Sequence, residues 1–210
     1  MRVLVQKKPV SLILGWIQRA LFAGAIVLLG YCGFVLIEAR VFQHLENREL
    51  DKLIAASPAA TTEVTLRAAI ARPPRDVKSD GLIGRIEIPR LGVSSVVIEG
   101  TSGTTLRRAV GHIPGTASPG QQGNIGIAGH RDTFFRPLRN IRLDDVITLT
   151  TLSGTFHYRV VSTKVVNPFD VGVLDGSETE VLTLVTCYPF SFVGSAPDRF
   201  IVRAERFQPD

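Results

Sequence analysis

The stretch Val181–Cys187, VLTLVTC, is an apolar, β-branched run that ends on a cysteine and meets Tyr188-Pro189 immediately afterwards. That composition and the proline stop predict a strand entering a loop. Period-two alternation puts Thr183, Val185 and Cys187 on one face and Leu182, Leu184 and Thr186 on the other. Outward from this strand, runs of the same kind recur at Gly84–Pro89, Val93–Ile98, Asn124–Ala128, Val146–Thr151, Thr155–Val166 and Arg199–Ala204, separated by Gly, Pro and Asp/Asn. Thr105–Ala109 and Thr133–Leu138 fit short helical turns between them. Strands at this density over Gly81–Asp210, with no internal repeat, predict a mostly β domain, closed barrel or sandwich.

The rest of the 210 residues does not read as a second core. Ala20–Ile37 runs without a charge, and as a helix it spans about 27 Å, close to the ~30 Å hydrocarbon core. Trp16 and Arg19 precede it and Glu38 and Arg40 follow it, as interfacial residues would. Arg2, Lys7, Lys8 and Arg19 lie ahead of it with no acidic residue, so the positive-inside rule keeps the N-terminus cytoplasmic and sends the remainder outside. A cleaved signal peptide shares the basic start and apolar core, but this run is long and has no A-x-A-like exit. Bulky Tyr31 before Cys32 argues against a lipoprotein site, and Cys32 reads as a small membrane-buried side chain.

Removing those four residues from the 24 basic ones leaves 20 against 19 acidic, a net of +1, where the whole chain carries +5. The basic balance is therefore a membrane feature, and nucleic acid is not an expected partner. Glu38–Ala56 carries an imperfect apolar stripe and reads either as a juxtamembrane helix or as a solvated stalk. Ser57–Asp80 turns to Ala, Thr, Pro and charges, including Arg72-Pro73-Pro74-Arg75, and reads as a linker. The expected organisation is a cytoplasmic N-terminus over 1–19, a transmembrane anchor over 20–37, a juxtamembrane helix and linker over 38–80 and a catalytic domain over 81–210, in a single-pass protein of the cell membrane.

With two cysteines, Cys32 and Cys187, neither a multi-disulfide scaffold nor a Cys-rich zinc finger is available. Cys187, at a strand end entering a loop, is placed where a thiol can meet a substrate, although free cysteines are commonly buried and structural. Gly123–Phe135, GNIGIAGHRDTFF, delivers His130 in the same way, with Arg131 and Asp132 following. If the two strands are neighbours, an imidazolium beside the thiol favours the thiolate and can hand a proton to a leaving amine. His112 and His157 read as structural histidines. In Ala196–Ala204, APDRFIVRA, alternation turns Phe200, Val202 and Ala204 inward and Arg199, Ile201 and Arg203 outward, so Arg199 at the strand's start can serve a developing oxyanion. No C-x-x-C, H-x-x-x-H, H-E-x-x-H, phosphate loop or G-x-S-x-G elbow is present, so no metal and no cofactor is expected.

Together GHIPGTASPGQQGNIGIAGHRDTFF, TLVTCYPF and FVGSAPDRFIVRA resemble the sortases, membrane-anchored cysteine transpeptidases of bacterial cell surfaces, and look most like the class D group. The resemblance spans essentially all of residues 81–210. It implies a closed barrel of about eight strands with short helices. It carries the nucleophile onto Cys187, the proton-transferring histidine onto His130 and the oxyanion-stabilising arginine onto Arg199, with Arg203 the near alternative. Asp132 and Thr186 fall beside this set as supporting residues. The implied reaction cleaves an LPXTG-like sorting signal between Thr and Gly through a thioacyl enzyme, then passes the protein to an amine (a cell-wall peptide or a pilin lysine) or to water. Such chemistry predicts a bell-shaped pH profile. Val165, Val166, Val173 and Val185 are candidates to line a pocket for the Leu-Pro portion. The competing expectation is a membrane-tethered module that presents peptides on a sortase barrel without cutting them.

Overall fold

The computed structural model describes residues 8–56, 81–192 and 194–209, so the linker expected over Ser57–Asp80 lies outside the described residues. Contacts divide the chain into two units, Met1–Val41 and Phe42–Asp210. Helix α1 runs Lys8–Ala56 for 49 residues. No proline follows Pro9 within it, so nothing in the covalent chain interrupts the helix between the apolar run and the stripe over Glu38–Ala56. Within its first unit, Leu14–Phe34 is long and apolar enough to cross a membrane, and none of that window is buried in the protein. The window takes in Trp16 and Arg19 ahead of the charge-free run.

The second unit is a barrel of eight strands: β1 (Leu82–Ile88), β2 (Val93–Glu99), β3 (Val110–His112), β4 (Gly123–Ala128), β5 (Val146–Thr151), β6 (Gly154–Val166), β7 (Glu180–Tyr188) and β8 (Asp198–Phe207). They close in the order β1-β2-β3-β4-β7-β8-β6-β5. The β2–β3 and β4–β7 pairs are parallel and the others antiparallel. Closure leaves no long free edge, and the inward residues of every strand form one core containing Ile86, Val97, Ile125, Leu149, Leu184 and Val202. A short helix α2 (Gly103–Arg108) and 3₁₀ turns at Pro89–Leu91, Arg136–Asn140 and Val171–Leu174 connect the strands.

All seven runs read from the sequence are strands, with ends shifted by a few residues at most in all but β8, which continues to Phe207. The eighth, β3, has only three residues, one of them glycine. Its backbone is held by β2 on one side and β4 on the other, with Val97 opposite Val110 and Gly111 opposite Ala128. A Cβ on Gly111 would stand 2.1 Å from the Gly100 carbonyl oxygen, so a side chain is excluded there by the close approach of the backbone.

The solvated-stalk alternative for the end of α1 does not hold. Leu50 is fully buried against Leu82 and Val96, with Ile54 and Leu152 beside them. Because β3 is short, it leaves the first half of β2 unpaired on that side. The Gln43 amide fills the gap, its Oε1 accepting from Val96 N at 2.9 Å and its Nε2 donating to Arg108 O at 2.6 Å. An amide carries both a donor and an acceptor, which is what a broken ladder needs.

Candidate active site

Three strand ends meet at one end of the barrel. On the antiparallel β7–β8 ladder Cys187 is directly opposite Arg199, a pairing that sets their Cα atoms about 4.5–5.5 Å apart. On the parallel β4–β7 ladder Ala128 pairs with Val185, and the pairing persists past the strand, Gly129 N donating to Val185 O at 3.1 Å. Two residues beyond Ala128 is His130; two beyond Val185 is Cys187. His130, Cys187 and Arg199 thus occupy one row across three neighbouring strands. All three side chains are half-buried. Among the described residues the imidazole and the thiol make no hydrogen bond to each other or to another group, and the Arg199 guanidinium donates to the carbonyls of Asp198 at 3.0 Å and Ala196 at 3.4 Å. The row therefore holds a thiol, an imidazole and a guanidinium whose polar atoms are largely uncommitted, next to a loop.

The row is braced from beneath. Thr186 faces inward, is nearly fully buried, and donates to Gly129 O at 2.7 Å, tying the residue before Cys187 to the residue before His130. The ring of fully buried Phe135 packs on Gly129, where a Cβ would come within 2.7–3.0 Å of it, so the His130 loop can only fold back this tightly on glycine. The His130 carbonyl accepts from Phe135 N at 3.1 Å and closes that loop. Asp132 is exposed and pairs with Arg131, Nε to Oδ1 at 3.6 Å, and among the described residues no hydrogen bond or ion pair joins it to His130.

Arg131 is the residue that sequence reasoning left without a role. It is buried, and its guanidinium donates to three carbonyls of the β7–β8 loop: Pro189 at 3.0 Å, Phe192 at 2.8 Å and Gly194 at 2.9 Å. One planar fork with five donors thus pins the loop after Cys187 to the loop carrying His130. The only trace of this in the sequence is an arginine next to a candidate histidine, which a solvated surface residue would also give.

A protein-family model for the Sortase domain matches residues 86–207, more than half of the chain. The chain belongs to the sortase family. Sortase D of Bacillus subtilis (strain 168) is 34% identical over 189 residues, which is 89% of this chain and 95% of that protein. The solved structure of a Clostridium perfringens Sortase D5 transpeptidase matches with a TM-score of 0.62 at 28% identity, over 80% of this chain and 99% of that one. Sortase A from Corynebacterium diphtheriae, with a TM-score of 0.60 at 24% identity over 82% of this chain and 85% of that one, shares the fold. Sortases are cysteine transpeptidases that act on proteins carrying sorting signals, and family membership fixes this chain's activity at that level.

Two clefts flank the row on this sortase barrel. One, of about 250 Å³, lies on the outer face among Thr183, Ile201, Arg203, Lys164, Gly172 and Val173. Of the valines expected to line a pocket for the Leu-Pro portion, Val173 lines this cleft. Val166 and Val185 share that outer face through their pairings with Arg199 and Ile201, whereas Val165 pairs with inward-facing Phe200 and so belongs to the opposite face. The second cleft, of about 720 Å³, opens at the barrel end beyond Cys187.

The remaining histidines are held elsewhere. His112 is buried at the end of β3, Nδ1 at 2.9 Å from Glu99 Oε2 and Nε2 donating to Ala117 O at 2.9 Å. Its structural role stands, although it is more enclosed than a turn-rich segment suggests. His157 sits on β6, Nδ1 at 3.3 Å from Thr148 Oγ1. Among the described residues no three His, Cys, Asp or Glu side chains gather in a group that could hold a metal.

Proposed function

We propose that this sortase cleaves an LPXTG-like sorting signal between its Thr and Gly, with Cys187 as nucleophile. The observation that carries the reading is the single row of His130, Cys187 and Arg199 over three strands. The Cys187 thiolate adds to the Thr carbonyl carbon. Arg199, at the mouth of β8, donates to the oxyanion that forms, and Arg203 is four residues too far along the strand to do so. The C–N bond breaks, the Gly amine takes its proton from His130, and a thioester remains on Cys187. An incoming amine then gives its proton to His130, forms the new amide and expels the thiolate; water in its place makes the enzyme a peptidase. Arg131 and Thr186 act by position, keeping the histidine and cysteine loops in register.

The proposal extends to the rest of the chain. Residues 20–37 anchor the protein in a single pass, residues 1–19 remain cytoplasmic, and the helix end and linker over 38–80 hold the catalytic domain, residues 81–210, outside the membrane. Substrates are then membrane-exported proteins ending in a sorting signal. Mass spectrometry of the full chain in detergent, incubated with a small library of LPXTG-like peptides, is expected to find a thioacyl adduct on Cys187. Cys187→Ala is expected to lose both adduct and cleavage; retained cleavage in that variant overturns the reading, and ordinary peptide affinity without any adduct identifies a binding module.

A further inference from the structure

We propose that the cleft at the barrel end is the acceptor site, and that it takes a small amine bearing a free carboxylate; the assignment rests on the thioacyl-transfer reading above. The cleft has an aromatic floor and a cationic rim. Tyr188, Phe190 and Phe200 make the floor, with ring centroids 5.4–6.2 Å apart. Arg136 and Arg139 stand on the rim with Asp132.

The two arginines share a face for a local reason. They lie three residues apart in the 3₁₀ turn Arg136–Asn140, where side chains at i and i+3 eclipse. Fully buried Phe135 and Leu138 anchor that turn to the core, so the arginines are left pointing outward together. The far end of the turn is clamped, Arg90 donating to Asn140 O at 2.7 Å and to the Asp145 carboxylate. Among the described residues neither Arg136 nor Arg139 has a carboxylate partner, and the one acid on the rim, Asp132, is already beside Arg131. The rim is thus a pair of unneutralised guanidinium groups on a rigid turn, which suits a carboxylate.

Position assigns the carboxylate to the second substrate. Cys187 faces outward, toward the groove at Thr183 and Ile201, while Tyr188 and Phe200 face inward at the barrel mouth. An acyl chain lying in the outer groove leaves the thioester carbon open from the mouth side. An amine arriving there passes its proton to His130, forms a C–N bond as the C–S bond breaks, and keeps its carboxylate on the arginines. A lysine within a folded protein, flanked by amide bonds, brings no carboxylate and gains nothing from this rim.

The test uses the full chain in detergent, with a peptide that forms the adduct, and measures transfer to ω-amino carboxylates of two to six carbons, to their primary amides and to N-acetyl-lysine methylamide. Rates are compared at equal concentrations of free amine. At the chain length that fits, the carboxylate is expected to react about tenfold faster than its amide, the scale of one charge-assisted contact. The preference is expected to shrink with added salt. It is expected to vanish in the Arg136→Gln/Arg139→Gln double variant and to persist in Arg159→Gln, whose arginine pairs with Val146 and Glu205, toward the opposite end of β6 from the Val166–Arg199 pair. An adduct that forms normally but shows no carboxylate preference, prefers the lysine derivative, or keeps its preference in the double variant overturns the acceptor site alone. Absence of an adduct with every peptide overturns the transpeptidase reading and the acceptor site with it.

Discussion

His112 and His130 each follow a glycine at the end of a short strand next to the same sheet seam, yet one has both ring nitrogens engaged and the other has neither. His112 is buried between Glu99, Ala117 and Thr116, where Thr116 Oγ1 itself donates to Ile113 O and accepts from Gly126 N. Both ring nitrogens and the Thr116 hydroxyl are engaged there, so the cluster's contribution is to hold β3 against β2 and β4. His130 is half-open, with an uncommitted imidazole over a braced backbone. A group that is to gain and lose a proton during a reaction has to keep its partners for the substrate. Hydrogen-bond saturation thus distinguishes these two histidines where residue type and the preceding glycine do not.

Exchange at the two histidines tests that division directly. His130→Gln is expected to lower peptide transfer by about 10²–10⁴-fold, the range for removal of a positioned acid–base, with little change in the thermal midpoint. His112→Phe is expected to do the reverse. It leaves the Glu99 carboxylate and Ala117 carbonyl without their partner and costs about 2–4 kcal/mol in denaturant unfolding, with activity per folded molecule largely kept. Should His112→Phe lose more activity per folded molecule than His130→Gln, the comparison fails.

Arg131 lies between these extremes, saturated itself but serving an unsaturated neighbour. Arg131→Lys keeps the charge and loses the fork to three carbonyls. It is expected to reduce transfer about tenfold, mainly in kcat, and to lower stability by about 1–2 kcal/mol. A purely structural role would show the stability loss without the kcat loss.

The smallest effect is expected at the Arg90–Asp145 pair, a saturated cluster away from the row. The hydrogen bond from Arg90 holds the buried Asp145 carboxyl below the usual carboxylate range, helped by the Arg142 backbone N–H. A depressed carboxyl stabilises the fold above its unfolded value near ~3.9, and that contribution drains away as pH falls through the lower folded value. Because the Arg90 side chain is 40% exposed, solvent screens the pair and it is expected to supply only a small contribution at neutral pH. Asp145→Asn is accordingly expected to lose that small contribution at pH 7 and to show a flatter loss of stability below pH 4. Unfolding curves that diverge instead on the alkaline side contradict this sign.

The alternation in VLTLVTC and RFIVRA already divided the side chains of those runs between two faces, because a strand's period of two is a property of the backbone and needs no partner. The membrane-length apolar run is likewise local, since helix rise and bilayer thickness set its length. The three motifs in order carried the family resemblance and the candidate His130, Cys187 and Arg199. Their adjacency was another matter: it depends on β4 pairing with β7 and β8 with β7, contacts that join residues more than fifty positions apart in the first case. The same distance in sequence hid β3, which is a strand only because its neighbours supply the hydrogen bonds, and hid Arg131 and Gln43, whose roles consist entirely of the distant carbonyls and N–H groups they satisfy. Periodicity and composition act through nearest neighbours along the chain, whereas the saturation that distinguishes His112 from His130 exists only once remote segments have been brought together.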